Sequence, residues 1–285
     1  MPTSAVQIVP ATRWRNSPCR KGAVALALCL PWLAACHLPP RQPVYPQQSE
    51  VPPPPPNIAQ LAEVAHDTQN YPAAVPLYRK LIDQGSDTVE NRLGLADSLL
   101  GTGDLDGAAA EYRRADTLAP QDPRPELGLG RLYLVQHRPA SALTAYDLVL
   151  QLDPHNLIAF NGKGVALDLM DQHGLAQHVY RQGLAIDADD RTLRNNLGLS
   201  LVFSKNYTEA VSILTALAQD PQATPRNRQN LALALGLEGD KTNAQMVAAH
   251  DLDNDDVQNN LRYYDYIRDG GTSPPVDAAV PSAKP

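Results

Sequence analysis

No cysteine occurs after Cys36 in this 285-residue sequence; the other two are Cys19 and Cys29. The long remainder has no thiol for a disulfide, a metal or a nucleophile, so its stability must come from an apolar core. About 200 ordered residues are enough to build one. Acidic residues are missing at the other end: none precedes Glu50, while Arg13, Arg15, Arg20 and Lys21 crowd the start. A membrane-length apolar run is missing there as well. The stretch Gly22–Ala35 has 14 residues, whereas a spanning helix needs about 20; Pro31 within it interrupts a helix interior.

Assembled catalytic chemistry is also missing. Catalysis needs a nucleophile beside a base, paired carboxylates in a cleft, or a metal cage. The seven histidines are His37, His66, His137, His155, His173, His178 and His250. None has a partner at a recognised ligand spacing, and His173 and His178 read as solvated residues around a helix turn. "DLDNDD" (Asp251–Asp256) imitates the start of a calcium loop. It has Asp256 where such a loop needs glycine and Arg262 where it needs glutamate, so it reads as an acidic turn before a helix. "NGKGVALD" around Lys163 lacks the phosphate-loop pattern. No enzyme, cofactor, metal or small-molecule substrate is expected.

What the first 36 residues do have is a basic stretch, a short apolar stretch and Leu33-Ala34-Ala35-Cys36. This is the layout of a secretory signal, and the last four residues resemble the bacterial lipobox. The resemblance implies cleavage before Cys36 and lipid on its sulfur and new amine. Residues 1–35 are then a lipoprotein signal peptide. Four cations and no anions leave with it, taking the formal charge from −7 to −11. Such acidity argues against nucleic acid as a partner. His37 after the cysteine, by analogy with enteric sorting rules, favours the outer membrane and a periplasmic domain. Residues 36–56 form a linker, with nine prolines among the 20 residues His37–Pro56. In polyproline II form, at about 3.1 Å per residue, such a segment extends to roughly 60 Å. The tail 270–285, rich in turn formers and without apolar period, is expected to be mobile.

Between these lies a repeat. Stepping by 34 from Ala74 gives Ala108, Ala142, Ala176, Ala210 and Ala244. Four residues after each come Tyr78, Tyr112, Tyr146, Tyr180, Leu214 and Ala248. Twelve before each come Ala62, Ala96, Gly130, Gly164, Gly198 and Ala232. "GTGD" (Gly101–Asp104) marks a turn inside a unit, and Pro120 and Pro154 close units. This pattern resembles the tetratricopeptide family across about 200 residues. The resemblance implies an all-α, right-handed superhelical solenoid over 57–269. Its helix-turn-helix units are 55–88, 89–122, 123–156, 157–190, 191–224 and 225–258, with a capping helix at 259–269. The first unit is degenerate, with Pro72 and Pro76 near its second helix. The sixth is irregular, with Asp251 where an apolar residue is usual.

The end of the repeat, "HDLDNDDVQNNLRYYDYIRD", is similar to the closing segment of the Tad-type (TadD-like) pilus-assembly tetratricopeptide lipoproteins. The matching residues are Asn259, Asn260, Leu261, Tyr263, Tyr264 and Arg268. That resemblance implies a noncatalytic outer-membrane scaffold that helps assemble tight-adherence (Flp) pili, supporting the secretin or another pilus or secretion component. The alternative is a general envelope adaptor for outer-membrane protein assembly or cell-wall enzyme recruitment. In such a stack the first helix of each unit lines a concave groove. The groove positions then include Asp97, Arg131, Asn161, Asn195, Asn196, Arg226, Gln229 and Asn230, among apolar Leu100, Leu134, Val165, Leu199 and Leu233. The asparagines and Arg226 suit a peptide backbone or carboxylate. The competing reading leaves Asn195 and Asn196 as helix-start residues facing water.

Overall fold

A computed structural model of the chain describes residues 57–271. The expected signal peptide 1–35, Cys36 and the linker 36–56 lie outside the described residues, as does the tail from 272. Among the described residues there are thirteen α-helices and no strand. They are α1 (Ile58–Asp67), α2 (Tyr71–Asp83), α3 (Val89–Thr102), α4 (Leu105–Leu118), α5 (Pro123–Val135), α6 (Pro139–Leu152) and α7 (Leu157–Asp168). Then come α8 (His173–Ile186), α9 (Arg191–Phe203), α10 (Tyr207–Ala218), α11 (Pro225–Glu238), α12 (Lys241–Ala248) and α13 (Asn254–Arg268). Each helix packs on its sequence neighbour, and odd-numbered helices from α1 to α13 also pack on one another in series. The result is a stack of antiparallel pairs in which each unit touches only adjacent units.

Two rows of residues at the 34-residue step set the chain reversals. The first caps the odd helices. The side chains of Thr88, Asp122, Asn156, Asp190 and Thr224 accept backbone N–H groups at the starts of α3, α5, α7, α9 and α11. Such a residue satisfies a donor that the first turn leaves free. The second row follows the odd helices. Gln69, Gly103, His137, Asp171, Lys205 and Gly239 all have positive φ, between 54° and 106°. The left-handed residue stops one helix and turns the chain into the next. "GTGD" is one instance: Gly103 turns the chain and Asp104 caps α4 through the Gly107 N–H at 2.9 Å.

The core rests on an exchange of volume between units. Tyr112, Tyr146 and Tyr180 are almost completely buried on the even helices. A Cβ placed on Gly128 would come within 2.1 Å of Tyr112 Cε1, and one on Gly162 within 2.2 Å of Tyr146 Cζ. Gly94 stands in the same relation to Tyr78. Tyr78, Tyr112 and Tyr146 therefore each need a bare backbone on the next unit, and on their own unit Tyr146 and Tyr180 also meet Gly130 and Gly164. Burial of an aromatic this size is worth about 3–5 kcal/mol against truncation.

The irregular ends have physical accounts. Pro72 falls in the first turn of α2, where its missing N–H costs nothing, but Pro76 lies inside the helix. Asp251 is not misplaced: both its oxygens accept from Arg228 of α11, at 2.7 and 2.6 Å. Asp253 caps α13 through the Asp256 N–H at 3.0 Å. The last helix thus begins at Asn254, five residues before the expected 259, and takes in half of the acidic stretch read as a turn. Among the described residues no helix is long and apolar enough to cross a membrane.

Candidate functional site

The odd helices bring most of the sequence-predicted polar residues onto one row. Asn196 Nδ2 donates to Asn161 Oδ1 at 2.6 Å, joining α9 to α7. Asn195 Nδ2 donates to Asn196 Oδ1 at 3.2 Å. From α11, Asn230 and Asn227 each donate to Asn195 Oδ1, at 2.8 and 3.2 Å. Asn227 is in turn held by Thr224 in a capping box. Four amides from three units are therefore locked together with a fifth, Asn227, which the sequence reading missed. Asn195 is only 7% exposed. It does not face water as a helix-start residue, because three neighbouring amides occupy its hydrogen-bonding groups.

The other predicted residues divide. Asp97 and Arg131 pair across units at 2.8 Å, and Tyr112 donates its hydroxyl to Asp97 at 2.6 Å. Burial pushes the Tyr112 phenol well above its ordinary value, and the Asp97 charge adds to the effect. This end of the row is self-neutralised. Gln229 has its Nε2 buried without a hydrogen-bond partner among the described residues. Arg226 is exposed and has no carboxylate partner among them.

Asp168 was also missed. It sits at the repeat position of Leu100, Leu134 and Val202, and that intrusion of a carboxylate into an apolar row is the signal that would have found it. It accepts from Ser200 Oγ at 2.7 Å and Tyr180 Oη at 3.0 Å, and His173 Nδ1 lies 2.9 Å away. Burial raises the Asp168 carboxyl above its ordinary value, against the three hydrogen bonds that stabilise its charge. His173 is thus not the solvated residue expected. It is partnered by Asp168 and lies against the Phe203 ring, centroids 5.6 Å apart. Ser, His and Asp meet here, but both Ser200 and His173 address the same carboxylate. No base faces the Ser200 hydroxyl, so the arrangement is not that of a hydrolytic triad. Among the described residues, no three His, Cys, Asp or Glu side chains converge as metal donors.

Sequence profiles of the tetratricopeptide repeat match residues 60–123 and 99–162. The fold is a tetratricopeptide-repeat solenoid. Over 75 residues, 26% of its length, this repeat protein is 43% identical to an uncharacterized protein of Sinorhizobium fredii (strain NBRC 101917 / NGR234), y4yS, of which it covers 41%. Among solved structures, it resembles Pseudomonas aeruginosa pilF with a TM-score of 0.58 and 17% identity, covering 68% of this chain and 88% of that one. A thermophilic tetratricopeptide protein of Thermus thermophilus gives a TM-score of 0.54 and 18% identity, covering 63% and 97% of the two chains. At these identities the structural likeness is one of fold alone. The fold is a protein-interaction scaffold, and the row of amides on its odd helices is the natural candidate for the binding face.

Proposed function

We propose that this tetratricopeptide-repeat protein is a noncatalytic, lipid-anchored adaptor that holds a protein partner in the groove of its odd helices. The observation that carries the binding part is the amide row Asn161–Asn196–Asn195–Asn230. At the two ends of that row Asn161 Nδ2 and Asn230 Oδ1 make no hydrogen bond among the described residues, and a donor and an acceptor held there match a peptide backbone and depend little on its sequence. The lipobox Leu33–Cys36 supports an anchor at Cys36, and the linker supports a domain held off the membrane on its periplasmic side. The closing residues Asn259–Tyr264 and Arg268 support service in the assembly of tight-adherence (Flp) pili, with the outer-membrane secretin or another pilus component as partner.

Three measurements test this. Radiolabelled palmitate should enter the full chain and be lost in Cys36→Ser; equal labelling of both would refute the anchor. Deletion of the gene should leave pilin made but not displayed, with the secretin unstable or misplaced. Normal surface piliation would refute the pilus role. Copurification of barrel-assembly or cell-wall proteins, without secretin, would favour the general envelope adaptor instead.

A further inference from the structure

The chain reversals inside units three to five carry an exposed apolar row. Val135 and Phe203 end α5 and α9, and Leu169 follows α7 at the same repeat position. They are 46%, 47% and 39% exposed in that order, and Leu175, in the turn of Leu169, is 58% exposed. The row stops at Gly101, which has no side chain, and at Leu237, which is buried.

The row is braced from inside. Asp168 accepts from Ser200 Oγ and lies beside His173 Nδ1, and the His173 ring lies against the Phe203 ring. Gln177 of α8 donates to the Ser200 carbonyl at 3.2 Å and to Ser204 Oγ at 2.8 Å. The end of α9 is thus tied to the start of α8 on both sides of Phe203. A carboxylate set where other units have leucine or valine fixes an exposed phenylalanine instead of letting it fold back on the core. Apolar side chains held exposed in this way make a contact surface.

Charge selects what covers it. In the three turns, residues 135–139, 169–175 and 203–207, the exposed formal charges are Arg138 and Lys205 at the ends and Asp171 between them. Glu209 nearby is taken up by Arg181 at 2.7 Å and Asn206 at 2.8 Å. A second copy paired about Leu169 would set Arg138 on Lys205 and Asp171 on Asp171, like charge on like. The turns at the opposite edge, residues 119–122, 153–156, 187–190 and 219–224, hold six aspartates and no lysine or arginine. One edge is therefore apolar with cationic ends, and the other is acidic. The apolar tips come singly, one turn per unit. A fluid bilayer accepts separate tips without a matching shape, which a folded protein partner would need.

We propose that this edge lies on a phospholipid surface, with Val135, Leu169, Leu175 and Phe203 in the boundary between headgroups and acyl chains and Arg138 and Lys205 on lipid phosphates. The acidic edge then faces away from anionic lipid. This rests on the anchored reading above, whose linker keeps such a surface within roughly 60 Å.

The test uses the full chain with Trp14→Phe and Trp32→Phe, which leaves it without tryptophan. Phe203→Trp then puts a single reporter on the row, and His155→Trp puts one on the acidic edge. Each chain is mixed with vesicles of phosphatidylcholine and phosphatidylglycerol whose acyl chains carry bromine. Emission of the Phe203→Trp reporter should move to the blue and be quenched, and that of His155→Trp should do neither. Adding Leu169→Ser/Leu175→Ser or Arg138→Glu/Lys205→Glu should remove most of the quenching. These proteins should melt alike, because every altered side chain in the folded domain is exposed. Chains that float with the vesicles while both reporters stay unquenched would overturn the inference, leave the anchor standing and pass the row to a second copy or a protein partner. Equal quenching of the two reporters would overturn it as well. No palmitate on Cys36 with the Phe203→Trp reporter still quenched would overturn the anchor and leave the edge contact standing.

Discussion

The left-handed turn residues give the sharpest test of how this sequence makes its fold. The six positions with positive φ are equivalent by repeat, yet only Gly103 and Gly239 are glycine. Gln69, His137 and Lys205 hold the same conformation at φ 58°, 54° and 62°. All three are exposed and make no side-chain hydrogen bond among the described residues. A side chain there costs roughly 1–2 kcal/mol in backbone strain. Glycine would relieve that and give back about 0.5–1 kcal/mol in unfolded-chain entropy. His137→Gly and Lys205→Gly should therefore each stabilise by about 0.5–1 kcal/mol, and Gly103→Ala should destabilise by a similar amount. The two stabilising sites lie two units apart and should add. For a domain of this size about 1 kcal/mol moves Tm by 2–4 °C. Urea unfolding followed by helical ellipticity gives the midpoints. Because a solenoid can open unit by unit, amide exchange in α5 and α6 should show where the His137→Gly gain lies. A lowered midpoint for His137→Gly, or an unchanged one for Gly103→Ala, would refute the reasoning.

Other perturbations follow from the packing. Gly128→Ala should cost about 1–3 kcal/mol, since its Cβ meets the Tyr112 ring. Gly174→Ala, where a Cβ meets nothing, should gain about 0.5 kcal/mol in the same melts. Tyr112→Phe keeps the ring and loses the bond to Asp97, for about 1.5–3 kcal/mol, whereas Tyr112→Ala should cost about 3–5 kcal/mol; equal losses would deny the ring its role. Arg228 holds the Asp251 carboxyl below the ordinary carboxylate range. A depressed folded value means stability present above the unfolded value of about 3.9 and lost as pH falls through the lower folded one. The stability gap between the parent and Arg228→Gln should therefore close in acid; a gap equal at about pH 6 and about pH 2 would contradict this.

Much of the solenoid was legible because its determinants are local and repeat. Ala108, Tyr112 and Gly130 recur at fixed offsets, and each side chain's size states its place. The capping row Thr88, Asp122, Asn156, Asp190 and Thr224 was not read from the sequence, although Thr, Asp and Asn recurring at the step of 34 carry a local capping signal. The site was less legible. Asn195 and Asn196 stood at groove positions, but whether they faced water depended on Asn161 and Asn230, each about one repeat away in the chain. Asp168 went unseen for the same reason: its partners His173, Tyr180 and Ser200 lie five, twelve and thirty-two residues on.

Spacing by itself determined the repeating two-helix unit, because small and large side chains at a 34-residue period fix which faces meet; it did not place the last helix, which begins at Asn254. Tertiary structure alone decided which polar groups are spent on one another and which stay free. Asp97 closes on Arg131, Asp251 on Arg228, and the asparagines on each other, while Arg226, Tyr263 and Ile267 remain open. The reason is that burial and pairing are properties of neighbours, and in a solenoid the neighbours that matter lie a full repeat away along the chain.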